Sequence, residues 1–347
     1  MRETRKMRMV DIARVARVST ATVSRVLHGS SLVNRKTAER VQVLLQESRY
    51  TPNSLARGLK FGVTNVYGLV ITDITNPFFP EIVKEFESLA IVRHREIMLS
   101  NTDFHRNGMG DSVRRLLAWK VHGVAILTSN PDRQSMEELT MNSIPVVTLD
   151  RRTVGYGQSD VAVDNIPGMV EGMKYLTNLG HRKIGFIGGL PGEAISKHRC
   201  KEFVGALRSQ GLTVRAEYIK VGDFRITGGT AAMQELLAMP DPPTAVFTAN
   251  DMTAIGALHA AQKMGYIVGE DVSIVGMDDI AFAELTTPAL TTLRLSRPEM
   301  AQAFFDALDN FGSQTENSGQ QYKVTSNLVI RDSTGPMKTR KRQRAKP

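Results

Sequence analysis

Polar residues follow several apolar runs in the long middle of the chain, at positions where strands would end. They supply carboxylates, an amide and an arginine, with two aromatic rings beside them. The residues are Asp73, Asn76, Phe78, Phe79, Asp150, Arg151, Asn250, Asp251, Asp278 and Asp279. Carboxylates and amides bind pairs of hydroxyl groups, and an aromatic face covers the apolar side of a sugar ring. As a set they predict a site for a small hydroxylated ligand, although any single one could merely cap the next helix.

Strands and helices alternate along the same region and would bring these residues together. In the first series, strands are expected at 66–71, 97–99, 124–127 and 145–149, with helices at 81–92 and 111–119. In the second, helices are expected at 168–179, 199–210, 229–238 and 252–264, with strands at 183–187, 218–221, 245–248 and 272–275. Such alternation predicts two α/β lobes with parallel sheets. Ligands of open parallel sheets bind beyond the carboxyl ends of the strands, so a cleft between the lobes is the expected site.

A different pattern occupies residues 10–27, VDIARVARVSTATVSRVL, which predicts two short helices and a tight turn. The apolar face of the first helix is Val10, Ile12, Ala13 and Ala16, and that of the second, about 20–27, is Val23, Val26 and Leu27. Thr20, Ala21, Ser24 and Arg25 lie near the opposite side of the second helix. Ser19 stands where its hydroxyl could cap that helix. The pattern is typical of a helix-turn-helix, and an ordinary helical hairpin is the alternative.

A third helix is expected from a cap at Asn34 to about Arg49, and it would close a small core with the first two. Its inner face would be Ala38, Val41, Leu44 and Leu45. The second helix would then remain exposed to enter the major groove of DNA.

Charge is distributed unevenly along the 347 residues, whose net charge is +9. Residues 1–60 have a net charge of +9 and residues 336–347 one of +6, whereas the remainder has −6. A small basic module on a non-basic chain is typical of a protein that binds a polyanion and displaces its counterions. The charge pattern therefore favours DNA binding by the helical module.

Composition and motifs exclude several other classes. No apolar run is long enough for a membrane span, and no secretory signal follows the basic N-terminus. The single cysteine, Cys200, excludes an internal disulfide and fits the cytoplasm. The glycines of 185–192 do not have the GxGxxG spacing, and other common catalytic motifs are absent. We therefore expect neither an enzyme nor a cofactor.

The segment that follows the third helix, residues 51–60, is predicted to be a linker that could order on binding. Leu59 lies beside two cations, Arg57 and Lys60. A leucine in that setting could wedge into a base step from the minor groove. It could equally be incidental to a domain linker.

Taken together, these segments resemble the lactose/galactose repressor (LacI/GalR) family across nearly the whole chain. The most specific are VDIARVARVSTATVSRVL and the hinge YTPNSLARGL at 50–59. Others are TNPFF at 75–79, LGHRKIGFIGG at 179–189, PTAVFTANDMTAIGAL at 243–258, DVSIVGMDDIAFAELTTPALTTL at 271–293 and VTSNLVIRDST at 324–334.

The resemblance implies an all-α helix-turn-helix headpiece and an α/β core of two lobes, similar to periplasmic sugar-binding proteins. The chain would cross between the lobes three times. The implied boundaries are 1–51 for the headpiece, 52–62 for the hinge helix, 63–335 for the core and 336–347 for a basic, disordered tail. Lobe 1 would comprise about 63–163 and 290–320, and lobe 2 about 164–289 and 321–332.

The resemblance also implies roles for individual residues. Thr20, Ala21 and Arg25 match base-reading positions, while Thr22, Ser24 and Asn53 match positions that contact or orient the DNA backbone. Leu59 matches the intercalating hinge leucine, which favours the wedge. The positions that match the lining of the effector cleft are Phe78, Phe79, Asp150, Arg199, Phe224, Asn250 and Asp278.

Some residues depart from the family pattern. Arg17 occupies a turn position where glycine is frequent, and Arg8 stands where the first helix needs a Ser or Thr cap. Glu193 and Ile195 differ from the polar and basic residues of purine-binding members, which favours a sugar or sugar acid. The single tryptophan, Trp119, is expected to pack rather than to stack on a ligand.

The sequence as a whole predicts a cytoplasmic, nucleoid-associated transcriptional regulator, acting as a repressor. It would bind a near-palindromic operator in double-stranded DNA as a homodimer. A sugar or sugar derivative between the lobes would control its operator affinity. Control by a protein partner is the alternative, and a sugar-acting enzyme is a remote one.

Overall fold

The computed structural model describes residues 7–27, 30, 32–48, 50, 64–103, 108–128, 131–311 and 318–337. The chain divides into two compact units, residues 1–62 and 63–347. Asn53 and Leu59, with the rest of the predicted hinge, lie outside the described residues, as does the tail from residue 338. Within the predicted tail, the backbone N–H of Met337 donates to the backbone oxygen of Leu179 at 2.9 Å, so the predicted disorder does not include this residue.

The first unit contains three helices, α1 (Met9–Val15), α2 (Thr20–Leu27) and α3 (Arg35–Glu47). Their core is Ile12, Ala13, Ala16, Val23, Val26, Val41 and Leu45. The predicted inner position of Val10 is wrong, because this side chain is 51% exposed. Residue 10 lies about 160° around the helix from Ile12, outside the buried stripe.

The predicted caps and turn of this unit are present. The Oγ of Ser19 accepts from the N–H of Thr22 at 3.1 Å, and Asn34 accepts from Lys36 at 2.9 Å. The turn before α2 holds Arg17 at a φ of 52°, the left-handed conformation that glycine adopts at lower cost. Arg8 supplies no capping side chain, but the carboxylate of Asp11 accepts from the Arg8 N–H at 2.9 Å and partly replaces the missing cap.

Lobe 1 is built on a parallel six-stranded sheet in the order β11-β5-β4-β3-β1-β2. The strands are β1 (Val66–Ile71), β2 (Glu96–Asn101), β3 (Gly123–Leu127), β4 (Val146–Leu149), β5 (Gln158–Asp164) and β11 (Gln321–Thr325). The helices are α4 (Phe78–Val92), α5 (Gly108–Ala118), α6 (Arg133–Met141) and α11 (Arg297–Asn310). Every residue of β1 is buried, as a strand covered on both faces requires.

Lobe 2 has a second six-stranded sheet in the order β12-β10-β9-β8-β6-β7. Its strands are β6 (Ile184–Ile187), β7 (Ile219–Lys220), β8 (Ala245–Thr248), β9 (Ser273–Asp278), β10 (Thr291–Arg294) and β12 (Asn327–Val329). Its helices are α7 (Ile166–Asn178), α8 (Ala194–Ser209), α9 (Ile226–Leu237) and α10 (Asp251–Lys263). The pairing of β12 with β10 is antiparallel and the other pairings are parallel.

The chain crosses between the lobes near residues 165, 295 and 326. Three crossovers agree with the expectation, but the lobe boundaries at 290 and 321 need correction. Strand β10 pairs with β9 and therefore belongs to lobe 2, and β11 pairs with β5 and belongs to lobe 1. β11 joins a sheet whose other strands are far away in the sequence, so a local pattern could not assign it. β10 follows β9 in the chain and pairs with it, so the crossover comes only after β10.

Candidate functional site

A cavity lies between the lobes, beyond the carboxyl ends of the strands of both sheets. It encloses about 780 Å³, part of it open to solvent. It is lined by Thr72, Asp73, Asn76, Phe78, Phe79, Leu127, Thr128, Leu149, Asp150, Val163, Ile195, Arg199, Phe224, Arg225, Asn250, Asp278 and Leu295. All seven residues expected in the effector cleft are in this lining.

The loop after β1 provides one wall of the cavity. The carboxylate of Asp73 accepts from the N–H and hydroxyl of Thr75, at 2.9 and 2.5 Å, and Asn76 accepts from the N–H of Phe78 at 3.1 Å. The rings of Phe78 and Phe79 meet edge to face, with centroids 5.3 Å apart. Because α4 begins at Phe78 rather than at the predicted residue 81, both rings are held by the first turn of a helix.

Asp150 brings a buried carboxylate to the cavity from the end of β4. Its φ is 52°, and its Oδ1 accepts from the N–H of Val163 at 3.2 Å. Burial raises the pKa of this carboxyl, despite the opposing charges of His198 and Arg152. The side chain can therefore accept hydrogen bonds from a ligand hydroxyl, or donate one when protonated.

Asp278 and Arg199 face the cavity from lobe 2, and each has one side-chain atom without a hydrogen-bond partner among the described residues. Oδ1 of Asp278 has no hydrogen-bond partner among the described residues and lies 3.6 Å from Nη2 of Arg199. Burial raises the pKa of Asp278 to about 6, while the charges of Arg199 and Arg297 act in the opposite direction. Nη1 of Arg199 donates to the backbone oxygen of Ala249, but its Nε has no partner in the described part of the chain. Buried polar atoms without partners are costly, so a ligand that bonds them would recover that cost.

Asn250 and Phe224 form the third wall. Oδ1 of Asn250 accepts from the N–H of Thr253 at 2.9 Å and so caps α10, the structural role that the sequence left open. Its Nδ2 donates to the backbone oxygen of Phe224 at 2.9 Å. Phe224 has a φ of 63° and packs on Gly189, where a Cβ would lie 2.0 Å from the ring. Asn250 thus shapes the cavity by positioning the aromatic ring.

Three polar residues predicted to join this cluster lie elsewhere. Asp251 is fully buried and accepts from Ile280 N–H and Thr292 Oγ1, at 2.9 and 2.5 Å. Asp279 pairs with two arginines, and Arg151 is not in the lining. Asp251 is the first residue of α10, and the backbone has a positive φ at Asp150, Asp278 and Asp279, so the chain turns at these points and the neighbour of a lining residue faces another way.

Sequence reasoning missed Arg225, which lines the cavity directly after Phe224. A strand is predicted at 218–221, but β7 is two residues long and ends at Lys220, so Arg225 does not directly follow the end of a strand. Trp119 lies outside the cavity lining, in agreement with the expectation that it does not stack on a ligand, but its side chain is 45% exposed rather than packed in a core.

The first unit presents a second candidate surface on α2. Thr20, Ala21 and Arg25 are exposed, and Thr22 and Ser24 are partly exposed. Val23 and Val26 bury the opposite face of the helix. Arg25 forms no side-chain ion pair within the described residues, so its guanidinium remains available to an external acceptor.

The described residues contain no helix long and apolar enough to cross a membrane. They also contain no group of three His, Cys, Asp or Glu side chains that could hold a metal ion.

Comparison with known proteins identifies the family of both units. Residues 8–53 match the family described as bacterial regulatory proteins, lacI family, and residues 173–334 match the periplasmic binding protein-like domain. The chain is 33% identical over 329 residues to the ribose operon repressor of Escherichia coli K12, covering 94% of this chain and 99% of that protein. It is 35% identical over 329 residues to the HTH-type transcriptional repressor CytR of the same strain, covering 94% and 96%.

A solved structure of the Lac repressor dimer, bound to operator and the anti-inducer ONPF, is similar over most of its length. The TM-score is 0.82 at 26% identity, covering 95% of this chain and 100% of that one. The chain belongs to the LacI family of bacterial regulatory proteins. It is a DNA-binding transcriptional regulator.

Proposed function

We propose that this protein is a homodimeric repressor whose operator affinity is set by a sugar or sugar derivative bound between the lobes. The observation that carries the proposal is the pair of buried, unpartnered atoms Asp278 Oδ1 and Arg199 Nε beside one cavity. One is an acceptor and the other a donor, which suits a hydroxyl group that does both.

The remaining lining suits the same ligand. Asp150 supplies a second carboxylate, and Phe78, Phe79 and Phe224 supply aromatic surface for the apolar faces of a ring. The name of one relative, the ribose operon repressor, agrees with a sugar effector. Ile195 provides an apolar contact at a place where a polar purine edge would need a partner.

On the DNA side, residues 1–51 form the headpiece and 52–62 the hinge in this proposal. Thr20, Ala21 and Arg25 read bases in the major groove, and Arg25 does so by donating two hydrogen bonds to a guanine. Thr22, Ser24 and Asn53 fix the backbone, and Leu59 enters the minor groove as a wedge. Two copies of the chain read the two halves of a near-palindromic operator, as a two-fold symmetric reader requires.

Linkage connects the two sites. A ligand that prefers one arrangement of the lobes shifts the population towards it, and the shift changes the spacing of the two hinges in the dimer. The affinity for operator changes by the same coupling free energy. The protein acts where the chromosome lies, in the cytoplasm and in association with the nucleoid.

Footprinting of the protein on genomic DNA tests the proposal. It should identify a near-palindromic operator, and titration of that operator in the presence of neutral sugars and nucleosides should change its affinity at least fivefold for one compound. If every compound leaves the affinity unchanged and calorimetry shows no binding, control by a protein partner replaces control by a small ligand.

A further inference from the structure

An arginine of lobe 2 is shared by two carboxylates of lobe 1 at the wall of the cavity. Arg225 is the residue before α9, and its Nη2 lies 3.1 Å from Oδ2 of Asp73 and 3.2 Å from Oδ1 of Asp103. Asp73 follows β1, and Asp103 follows β2. The ion pairs therefore span the two lobes.

Both sides of this contact are held in place. The carboxylate of Asp223 accepts from the N–H of Arg225 at 2.8 Å and from that of Gly228 at 3.0 Å, which fixes the loop before α9. Burial opposes ionisation of Asp73, but the hydrogen bonds from Thr75 and the charge of Arg225 outweigh it and lower the pKa of this carboxyl. Asp73 therefore stays charged at neutral pH and remains paired with Arg225.

The cavity lining holds more carboxyl groups than guanidinium groups. Asp73, Asp150 and Asp278 line it, against two guanidinium groups. Arg225 is paired with Asp73 and Asp103. Arg199 lies 3.6 Å from Asp278 and donates to the backbone oxygen of Ala249, while its Nε has no partner among the described residues. A phosphate or carboxylate on a ligand would have to compete with the partners that these cations already have, whereas an uncharged hydroxyl would not.

We propose that Arg225, held by Asp73 and Asp103, sets the charge selectivity of the cleft, so that the effector is an uncharged polyhydroxylated compound and phosphorylated or acidic sugars are rejected. This inference rests on the proposed function only in assuming that a ligand enters the cleft. It excludes sugar acids, which the sequence alone admits as effectors.

Inorganic phosphate is a suitable probe, since it needs neither the operator nor the effector. Its affinity for the full-length protein is measured by calorimetry and by thermal stabilisation against chloride at equal ionic strength and pH 7. The double variant Asp73→Asn with Asp103→Asn leaves Arg225 its full charge, and phosphate affinity should rise at least tenfold over the unsubstituted protein. Adding Arg225→Gln to that variant should return the affinity to the starting value.

Matched controls separate this effect from a general change of net charge. The double variant Asp111→Asn with Asp241→Asn removes two carboxylates from surface ion pairs with Arg114, Lys183 and Arg215, and should leave phosphate affinity unchanged.

A second experiment compares the binding of D-ribose with that of D-ribose 5-phosphate to the unsubstituted protein. Melting curves of all variants verify that they are folded.

The inference is overturned if the double cleft variant gains no phosphate affinity, or if the gain survives Arg225→Gln. Tighter binding of ribose 5-phosphate than of ribose would also overturn it. If the proposed function is wrong, the result is different: no ligand of the cleft changes the operator affinity. The phosphate measurement is independent of that result.

Discussion

Nη1 of Arg297 lies 2.5 Å from the backbone oxygen of Asp278, and this bond ties the cavity to the second crossover between the lobes. Arg297 is the first residue of α11, and its Nη2 pairs with Glu81 of α4 at 3.1 Å. Oε1 of Glu81 in turn accepts from the N–H of Ala281 in lobe 2 at 2.8 Å. A movement of Asp278 on ligand binding would therefore be transmitted to elements of both lobes.

Arg297→Lys should weaken the coupling between the two sites. Lysine keeps the charge but cannot donate to Asp278 and Glu81 in the fixed geometry of a guanidinium. We expect the ligand-induced change in operator affinity to fall at least threefold, while ligand-free operator affinity stays within twofold. Fluorescence anisotropy of labelled operator measures both. Arg294→Lys is the matched control, since Arg294 is itself exposed and pairs with Asp279. Full coupling in Arg297→Lys would contradict this account.

The raised pKa of Asp278 predicts a pH-dependent cost to stability. Between the ordinary carboxyl pKa near 3.8 and about 6, the native state holds a proton that the unfolded state releases, so stability falls as pH rises through this window. Asp278→Asn removes the ionisable group and should raise the free energy of unfolding at pH 7.5 by about 2–3 kcal/mol. The gain should shrink towards zero near pH 4, as followed by urea unfolding.

Asp241→Asn is the control for that experiment. Hydrogen bonds from Lys183 and Arg215 lower the pKa of this exposed carboxyl, so its removal should bring no gain in stability at pH 7.5. An Asp278→Asn protein that is less stable than the unsubstituted one at pH 7.5 would show that ionised Asp278 is stabilising in the fold.

The left-handed turn at Arg17 predicts a stabilising substitution in the first unit. Arg17→Gly should relieve about 1 kcal/mol of backbone strain, partly offset by the entropy of glycine in the unfolded chain. Hydrogen exchange of the α1 and α2 amides should slow several-fold. Arg14→Gly places glycine within α1 and should speed the same exchange. Equal changes for the two variants would be inconsistent with strain at Arg17.

Arg25→Ala tests base reading by α2. If its guanidinium bonds a guanine, the loss should cost about 1–3 kcal/mol at one base pair of each half-site and relax selectivity there. Affinity for a set of operators with single base changes gives the answer. Arg35→Ala is the matched control, because Arg35 is exposed on α3 and paired with Glu39. Unchanged selectivity in Arg25→Ala would assign Arg25 a role other than base reading.

Much of the core could be predicted because its strands are continuous apolar runs. β1 and β8 have the predicted boundaries, since both are buried along their whole length, and β1 lies between two polar residues, Asn65 and Thr72. β5 and α6 were missed. The sequence of β5, QSDVAVD, has only three apolar residues, and that of α6 has a weak apolar stripe. Their burial comes from tertiary contacts that the local pattern does not encode.

The residues of the site likewise divide into those that a local sequence pattern reveals and those that it does not. Asp73, Asp150 and Asp278 could be found because they end recognisable strands. Arg199 was found by family resemblance alone, since it lies within α8, and Arg225 was not found because its function depends on carboxylates from the other lobe. When the partners of a residue lie in the other lobe, the sequence around that residue contains no pattern that reveals them.

Operator titration with and without ligand, in the unsubstituted protein and in Arg199→Met, tests the central claim most directly. The ligand is the neutral pentose, hexose or nucleoside that binds most tightly by calorimetry. We expect this ligand to change operator affinity at least fivefold in the unsubstituted protein. In Arg199→Met the change should be lost although ligand-free operator affinity is kept. An equal response in both proteins would contradict the claim that a ligand in this cleft controls DNA binding.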